Sequence, residues 1–366
     1  MTNIASLHIN KSNFADCKIH EAVLDKLTDG EVLLQVDKFA LTSNNITYAV
    51  VGNRIGYWNF FPVKDDMGIV PVWGFATVVE SQHADIQVGE RFYGFYPMAS
   101  HLKVAPVKHS DFGFIDGAEH RRTLPIIYNY YTNTAHDNVY SVETENLQCL
   151  LRPLFTTSFL IDHFFADNDF FNSQQIILTS ASSKTALALA HLIDQRKEQQ
   201  SNTPKLIGLT SAKNKAFVVA SGYYDEVFVY ENYNKIEVVN SSIVEFAGKH
   251  KLQYQLQTHL NELLQHNCLV GIVDWKNIRG EEKLPKRGDF FFAPTVAQEK
   301  QKEWGRAEFG TKLENAWKGF VPVAADWLNV KENTGMVALQ EIYLKMLEGD
   351  FDAKDGFIVT RASSSV

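Results

Sequence analysis

Cysteine is scarce in this 366-residue chain, which contains only Cys17, Cys149 and Cys268. An odd number of scattered cysteines without a CxxC pair excludes a disulfide framework and a thiolate-rich zinc site, and it fits a reducing compartment. Basic residues are also in the minority, because the chain has 35 Lys and Arg and 43 Asp and Glu, which gives a net charge of -8. Such a chain has no broad basic field, so we expect no nucleic-acid partner.

Long apolar runs are missing as well. No run reaches about 18 residues, the length that spans a membrane. The first residues also lack the basic and then apolar segments of an export signal. We therefore expect no membrane partner and a cytoplasmic location. The remaining composition, 45% hydrophobic and 21% charged, is that of an ordered globular protein. A prior of about 150 residues per domain suggests two domains.

The first part of the chain alternates apolar and polar residues with a period of two, the pattern of half-buried strands. This alternation predicts strands at 30–41, 74–81, 90–97 and 100–107, separated by glycines and short polar stretches. Residues 43–52 between them are predicted to form a loop. This part of the sequence therefore predicts a compact β domain.

From residue 151 onward, short continuous apolar runs alternate with amphipathic helices. The runs lie at 176–180, 205–211, 226–230, 242–248, 268–275 and 289–294. Strands buried on both faces have this pattern, and the helices predicted at 183–198 and 251–266 supply the crossovers of a parallel sheet. This part therefore predicts a doubly wound α/β domain. Residues 295–333 have the composition of a surface excursion, and 334–361 predict a helix, a turn and a strand.

This order of parts resembles the medium-chain dehydrogenase/reductase superfamily, and within it the zinc-free quinone and enoyl reductases. The matching stretches are "GEVLLQVDKFALTSNNITYAVVG", "VPVWGFATVVES", "LIGLTSAKNKAFVVASGYYDEVFVY" and "LEGDFDAKDGFIVT". Finer features, "SASSKTALALA" and "VEFAG", resemble an uncharacterised branch known as a domain of unknown function.

The resemblance implies an α/β fold with two domains. Residues 1–135 and 334–366 would form a GroES-like β catalytic domain, and residues 136–333 a Rossmann domain with a doubly wound parallel sheet. It also implies an oxidoreductase that acts on a small molecule with a nicotinamide cofactor, and a homodimer formed through the Rossmann domain.

Zinc-dependent members of the superfamily place a cysteine in the loop occupied here by "ALTSNNIT". They also have Gly-His-Glu where this chain has Trp73, Gly74 and Phe75. Neither the thiolate nor the imidazole is present, so we expect no metal. Three histidines, His191, His259 and His266, fall on predicted helices without metal-ligand spacing and are predicted to lie on the surface.

The predicted strand, turn and helix "IILTSASSKTALALAHLI" (176–193) contains no glycine. Superfamily relatives have a glycine-rich turn here, and the resemblance aligns Ser183, Lys184 and Ala186 with its glycines. Phosphate binding is still expected from the hydroxyls of Ser182, Ser183 and Thr185, from the Lys184 ammonium and from free N–H groups at the helix N-terminus. Alternatively, a serine only caps the helix and the lysine is solvated. A P-loop is disfavoured because it needs glycines that this stretch lacks.

The second Rossmann strand ends in "LTSAKNKAF", without the acid that NAD-preferring sites place there. Ser211 and Lys215 match the serine and lysine that quinone reductases direct at the 2'-phosphate, and Lys213 is a further cation. Alternatively, the serine caps a helix and the lysines are solvated. Together with the turn, this segment favours NADPH. By resemblance, Thr157 lies near the helix that borders the cofactor cleft. Gly248 ends the fourth predicted strand of the parallel sheet, at the edge where ligands bind.

Tyr48 falls where zinc-free reductases keep a polar residue facing the nicotinamide. A phenol can donate a proton or a hydrogen bond to a carbonyl oxygen as charge develops, and Asn45 and Thr47 could orient the substrate. Alternatively, the tyrosine ring packs in the core and the asparagine satisfies a turn.

The sequence thus predicts a zinc-independent, NADPH-dependent reductase of a quinone or of a C=C bond conjugated to a carbonyl group. The alternative is a non-catalytic Rossmann scaffold that has lost dinucleotide binding and binds another anion or a protein partner.

Overall fold

The structure, a computed structural model, describes residues 2–200, 202–271, 284–286 and 288–362. Its strands are β1 Thr2–Asn10, β2 Cys17–Leu24, β3 Val32–Leu41, β4 Met67–Gly68, β5 Pro71–Ser81, β6 Arg91–Pro97, β7 His101–Val104, β8 Pro106–Ser110, β9 Gly113–Asp116, β10 Tyr130–Asn133, β11 Gln175–Thr179, β12 Lys205–Thr210, β13 Glu226–Val229, β14 Ser241–Glu245, β15 Leu264–Leu269, β16 Asp289–Phe290, β17 Asn329–Thr334 and β18 Asp355–Thr360. Its helices are α1 Ser43–Val50, α2 Gly52–Ile55, α3 Glu145–Asp167, α4 Lys184–Gln199, α5 Lys215–Ala220, α6 His250–Leu260, α7 Ala293–Trp304, α8 Arg306–Trp327 and α9 Gly335–Glu348.

The chain divides into two compact units, Met1–Leu150 with Leu328–Val366, and Leu151–Trp327. The first unit is built on a mainly antiparallel sheet with the strand order β17-β18-β3-β5-β6-β10-β9-β8, in which β7 also pairs with β3. Strand β3 is central to it, because β3 pairs with β5, β7 and β18. Burial alternates only in the middle of β3, where Leu34 and Val36 are buried and Gln35 is half-buried, whereas both ends of the strand are buried without a break.

The first unit also contains a three-stranded sheet that the sequence did not predict, with the order β2-β1-β4. Leu7 and Ile9 of β1 are fully buried. Helix α9 is hydrogen-bonded to the segment between β1 and β2, because the Tyr343 hydroxyl donates to the Phe14 carbonyl (3.0 Å). The Gln340 side chain likewise donates to the Cys17 carbonyl (2.8 Å). The two ends of the chain are thereby joined in one unit.

The second unit is built on a parallel sheet with the order β13-β12-β11-β14-β15-β16. Numbered within the unit, this is the order 3-2-1-4-5-6 of dinucleotide-binding folds. All five residues of β11 are buried, as expected for a central parallel strand. The chain changes direction across the sheet between β11 and β14, and ligands of open α/β sheets bind at this switch point, beyond the carboxyl ends of the strands. The predicted doubly wound domain is confirmed.

Two local predictions were wrong. Residues 43–50 form helix α1 rather than a loop, because the Asn45 side chain and Thr42 form a capping box that starts a helix. Strand β15 begins at Leu264, so the helix predicted to reach residue 266 ends at Leu260. The strand predicted at 268–275 therefore starts too late, and its residues 272–275 lie outside the described ranges.

Three further predictions need revision. Residues 295–333 are mostly helical and form most of α7 and all of α8. The strand predicted at 289–294 is confined to β16, since α7 begins at Ala293. His191 and His266 are buried rather than on the surface, with exposed fractions of 7% and 8%. Aromatic rings explain the second case, because the His266 ring stacks on Phe171 at 4.0 Å.

Candidate functional site

The turn after β11 contains a left-handed residue, although it has no glycine. Ser180 has φ of +47°, a region that side chains rarely adopt. Its hydroxyl lies 3.3 Å from the Tyr230 hydroxyl. The next residue is held from both sides, because the Ala181 N–H donates to the Leu209 carbonyl (3.1 Å) and the Tyr224 hydroxyl donates to the Ala181 carbonyl (3.0 Å). Side-chain hydrogen bonds thus fix this turn.

Ser183 caps helix α4, as one of the two sequence interpretations had it. Its backbone is extended, and its hydroxyl accepts a hydrogen bond from the Ala186 N–H (3.2 Å). Lys184 is the first residue of the helix, and both it and Thr185 are partly exposed. The Thr185 carbonyl accepts a hydrogen bond from Ser158 of α3 (2.8 Å), which anchors the first turn of the helix.

Ser182 joins this turn to the loop after β12. Its hydroxyl oxygen accepts hydrogen bonds from the Asn214 amide (3.0 Å) and from the Thr210 hydroxyl (3.3 Å). The residue is 8% exposed. A serine hydroxyl that accepts two bonds still has its own O–H to donate. The turn after β11 and the loop after β12, both predicted to bind phosphate, are therefore in direct contact.

Two cations follow β12, one in the loop and one at the start of α5. Lys213 and Lys215 are exposed, and neither forms an ion pair with any residue of the described ranges. Ser211 has an extended backbone, and its carbonyl accepts a hydrogen bond from the Asn214 N–H (3.0 Å), while its hydroxyl makes no helix-capping bond. The segment after β12 therefore carries two lysines that form no ion pair with the described residues.

The loop after β14 binds a carboxylate of its own strand. Glu245 is fully buried, and its side chain accepts hydrogen bonds from the N–H groups of Gly248 (2.6 Å), Ala247 (3.0 Å) and Lys249 (3.4 Å). The Thr179 hydroxyl at the end of β11 donates to it as well (3.3 Å). Burial raises the pKa of Glu245, while these hydrogen bonds act in the opposite direction.

Gly248 has φ of +77°, so the loop needs a residue free to adopt the left-handed region, and it directs its N–H at Glu245. Lys249 places its ammonium 4.0 Å from the centre of the Tyr230 ring, a cation–π contact. Thr157, predicted to border the cofactor, donates its hydroxyl to the Pro153 carbonyl within α3 (3.1 Å). The parallel sheet thus brings the turn after β11 together with the loops after β12 and β14.

In the first unit, helix α1 carries the three residues predicted for catalysis. Tyr48 is 6% exposed, and its hydroxyl accepts a hydrogen bond from the Trp73 indole N–H (3.4 Å). Burial raises the pKa of Tyr48 to about 12, although hydrogen bonding by the Trp73 and Asn44 side chains acts to lower it. Thr47 is buried beside it in the sequence, at 8% exposed.

Asn45 has the contacts of a residue that fixes a turn. Its side-chain oxygen accepts from the Thr42 N–H (2.7 Å), and its amide donates to the Pro71 carbonyl (2.8 Å). The residue beside the phenol is instead Asn44, one helical turn before Tyr48. Sequence reasoning placed 43–52 in a loop, and the helical spacing of four residues between Asn44 and Tyr48 was the signal that would have identified the pair.

Aromatic rings surround the phenol. The ring of Tyr48 lies 4.3 Å from that of Tyr57 and 5.6 Å from that of Phe95, measured between centroids. Trp73 stacks on Tyr93 with centroids 5.5 Å apart and planes 19° apart. A phenol in such a shell is shielded from water, so its hydrogen bonds determine where its proton points.

Neither a metal centre nor a membrane span was found in the part of the chain that the structure describes. No three His, Cys, Asp or Glu side chains there are grouped so that they could hold a metal ion. Likewise, none of the helices there combines the length and the apolar composition needed to cross a membrane.

Solved structures that share this fold include CurA from Vibrio vulnificus in complex with NADPH, with 12% identity, a TM-score of 0.63 and coverage of 99% of this chain and 100% of that chain. The Etr1p complex with NADP and crotonyl-CoA has 10% identity, a TM-score of 0.60 and coverage of 98% and 100%. The human synaptic vesicle membrane protein VAT-1 homolog-like protein has 11% identity, a TM-score of 0.52 and coverage of 99% and 100%. The two-domain fold implied by the resemblance to medium-chain dehydrogenases/reductases is confirmed.

Curated proteins offer no match to the sequence. One protein family does match, and its description is "Protein of unknown function (DUF2855)". The match extends over residues 39–352, most of the chain, and this protein therefore belongs to the DUF2855 family.

Proposed function

We propose that this protein is a cytoplasmic, zinc-independent oxidoreductase that uses NADPH to reduce a small molecule, either a quinone or a C=C bond conjugated to a carbonyl group. The observation that carries the proposal is the pair of lysines, Lys213 and Lys215, which follow the carboxyl end of β12 beside the sheet's switch point and form no ion pair with the described residues. A 2'-phosphate requires cationic partners at this place, whereas NAD requires an acid. Relatives in fold that were solved with NADPH and with NADP support the choice.

The residues around the switch point fit the phosphates of this cofactor. Lys213, Lys215 and Ser211 would hold the 2'-phosphate. The O–H groups of Ser182 and Thr185 and the N-terminus of α4 would hold the diphosphate, since a helix N-terminus carries free N–H groups and a positive dipole end. When bound, NADPH would supply the hydride.

Tyr48 would supply the proton. Reduction of a conjugated carbonyl compound would place negative charge on its carbonyl oxygen, and the phenol hydrogen would move to that oxygen to give an enol. The enol would then return this proton to the phenolate while its α-carbon takes a proton from water, which gives the saturated product. The buried hydroxyl, at 6% exposed, accepts a hydrogen bond from the Trp73 indole N–H, so its O–H would have a defined direction for this transfer.

Calorimetric titration with NADPH and NADH tests the cofactor assignment. The double variant Lys213→Ala, Lys215→Ala should weaken NADPH binding by more than about 100-fold, because each of the two charged hydrogen bonds contributes about 1.5–3 kcal/mol, and it should leave NADH binding unchanged. Lys302→Ala, which removes an exposed lysine of α7, is the matched control. Equal losses for both cofactors, or no loss, would contradict the assignment of the 2'-phosphate.

The alternative is a non-catalytic scaffold that binds another anion or a protein partner. Two observations favour this scaffold. The Ser183 hydroxyl already accepts the hydrogen bond that caps helix α4, and the Glu245 carboxylate already accepts hydrogen bonds from the N–H groups of the loop after β14. A thermal melt separates the two functions. Ligand at 100 times its dissociation constant should stabilise the reductase by about 2.7 kcal/mol, whereas melting unchanged by NADPH or NADH supports the scaffold.

We also propose that two copies of the chain form a homodimer through the Rossmann sheet. Strand β16 is the last strand in the sheet order, and its Phe290 is 41% exposed, so it offers an apolar edge for pairing. Sedimentation velocity of the wild-type protein and of Phe290→Asp tests this, with a shift to monomer expected for the variant.

A further inference from the structure

The hydroxyl of Tyr48 has two polar neighbours inside an otherwise aromatic environment. We propose that Trp73 and Asn44 are positioning residues for this phenol: they direct its O–H towards the oxygen of a bound carbonyl compound and hold the phenolate after the proton has left. The inference rests on the proposed function for the identity of the acceptor. The ionisation of the phenol itself is a property of the protein alone.

The chemistry of the indole makes the direction of the hydrogen bond certain. An indole N–H is a donor and has no acceptor atom, so the contact between Trp73 Nε1 and the Tyr48 oxygen at 3.4 Å places the hydrogen on the tryptophan side. The phenol O–H must therefore point elsewhere. Asn44 acts on the phenol in the sense of a second donor, since it lowers the phenol pKa, and the O–H is left to an acceptor atom of a bound ligand.

The indole is held in this position by packing. Trp73 lies on β5 opposite Phe95 of β6, and the centroids of the two rings are 5.0 Å apart. On the same strand, Tyr93 stacks on the indole with nearly parallel planes. Rotation of the indole away from Tyr48 would break these ring contacts, so the donor is preorganised for the phenolate.

Asn44 supplies the second contact from the same helix as the phenol. It precedes Tyr48 by four residues on helix α1, so the two side chains lie on one helix face, and Asn44 acts to lower the phenol pKa. An amide group can donate a hydrogen bond to the phenolate. With the indole, this provides two donors for the negative oxygen in a site shielded from water, where such bonds are strong.

The first test reads the phenol directly. Difluorotyrosine introduced at position 48 lowers the phenol pKa into an accessible range, and ¹⁹F NMR follows its ionisation as pH is raised. Trp73→Phe should lower the acid dissociation constant about tenfold, since one hydrogen bond to the charged form is lost. Trp304→Phe, which removes an indole in the other unit, should leave it unchanged. A change of less than about twofold for Trp73→Phe would overturn the proposal.

A second measurement needs no tryptophan variant, and so it decides the matter even if Trp73→Phe fails to fold. In the folded protein with difluorotyrosine at position 48, the ¹H–¹⁵N signal of the Trp73 indole should move with the same apparent pKa as the phenol. An indole signal that stays constant while the phenol ionises would overturn the hydrogen bond.

A third test measures kcat in a double-mutant cycle. Trp73→Phe and Asn44→Ala should each lower kcat about tenfold in the wild-type background and have no further effect in the Tyr48→Phe background, with KM little changed. Additive losses in that background would overturn the positioning role. If no NADPH-dependent activity exists but the dissociation constant still shifts tenfold, the proposed function fails and the assignment of the two phenol partners stands.

Discussion

The left-handed turn at Ser180 leads to a quantitative prediction about stability. Its φ of +47° penalises any side chain relative to glycine by about 1–2 kcal/mol, of which about 0.5–1 kcal/mol is offset because glycine gains more freedom on unfolding. Both Ser180→Ala and Ser180→Gly lose the 3.3 Å contact with the Tyr230 hydroxyl, which is worth about 0.5–1.5 kcal/mol. The two variants therefore differ only in the backbone contribution.

We expect Ser180→Gly to be more stable than Ser180→Ala by about 0.5–1 kcal/mol, or about 1–4 °C in melting temperature for a domain of this size. Differential scanning calorimetry of both variants measures this difference. Ser221 is the matched control, because its φ of -65° lies in the right-handed helical region, where alanine should be the more stable replacement. If Ser180→Ala melted at or above Ser180→Gly, the left-handed turn would be refuted.

Two further predictions concern each unit separately. Burial lowers the pKa of His191 below its ordinary value of 6.5. Below about pH 6.5 the unfolded chain therefore binds a proton at this histidine more readily than the folded protein does, and the folded protein loses stability as pH falls. His191→Phe should flatten the fall in melting temperature between about pH 7 and pH 5, whereas His136→Gln, at an exposed side chain, should not. A β-carbon at Gly74 would lie 2.2 Å from the Lys38 carbonyl oxygen, so Gly74→Ala should destabilise the first unit by about 1–3 kcal/mol in urea titrations. Gly319→Ala in α8, with nothing within 4 Å, should stabilise by about 0.5–1 kcal/mol, and equal effects of the two substitutions would contradict this account of the packing.

The parallel sheet could be predicted from the sequence because its strands are buried on both faces and therefore appear as continuous apolar runs. The strand predicted at 176–180 is β11, displaced by one residue, and the run at 205–211 contains β12. Strand β15 breaks the rule, since its residues His266 and Asn267 are polar and yet buried. The stacking of His266 on Phe171, a contact between distant parts of the chain, makes that burial possible.

The site could be predicted only where its chemistry is local in sequence. The hydroxyl-rich turn and the two lysines after β12 are neighbours along the chain, so their pattern is visible without a structure. Tyr230, Glu245 and Trp73 acquire their roles from partners that lie at least 25 residues away or on another strand, as with the contact of Trp73 to Tyr48. Single-sequence patterns contain no information about such pairs.

The absence of glycine from the turn after β11 has a physical explanation. In related folds, glycine allows the backbone to adopt an unusual conformation and to approach a diphosphate closely. Here the conformation is retained at Ser180, and hydroxyls of two tyrosines stabilise it, Tyr230 through the serine side chain and Tyr224 through the Ala181 carbonyl. Conformation is thus preserved while close backbone approach is not, because side chains now occupy the turn. A phosphorylated ligand would have to be bound by the hydroxyls of Ser182 and Thr185 and by the cations after β12, which makes those side chains more important here than in a glycine-rich site.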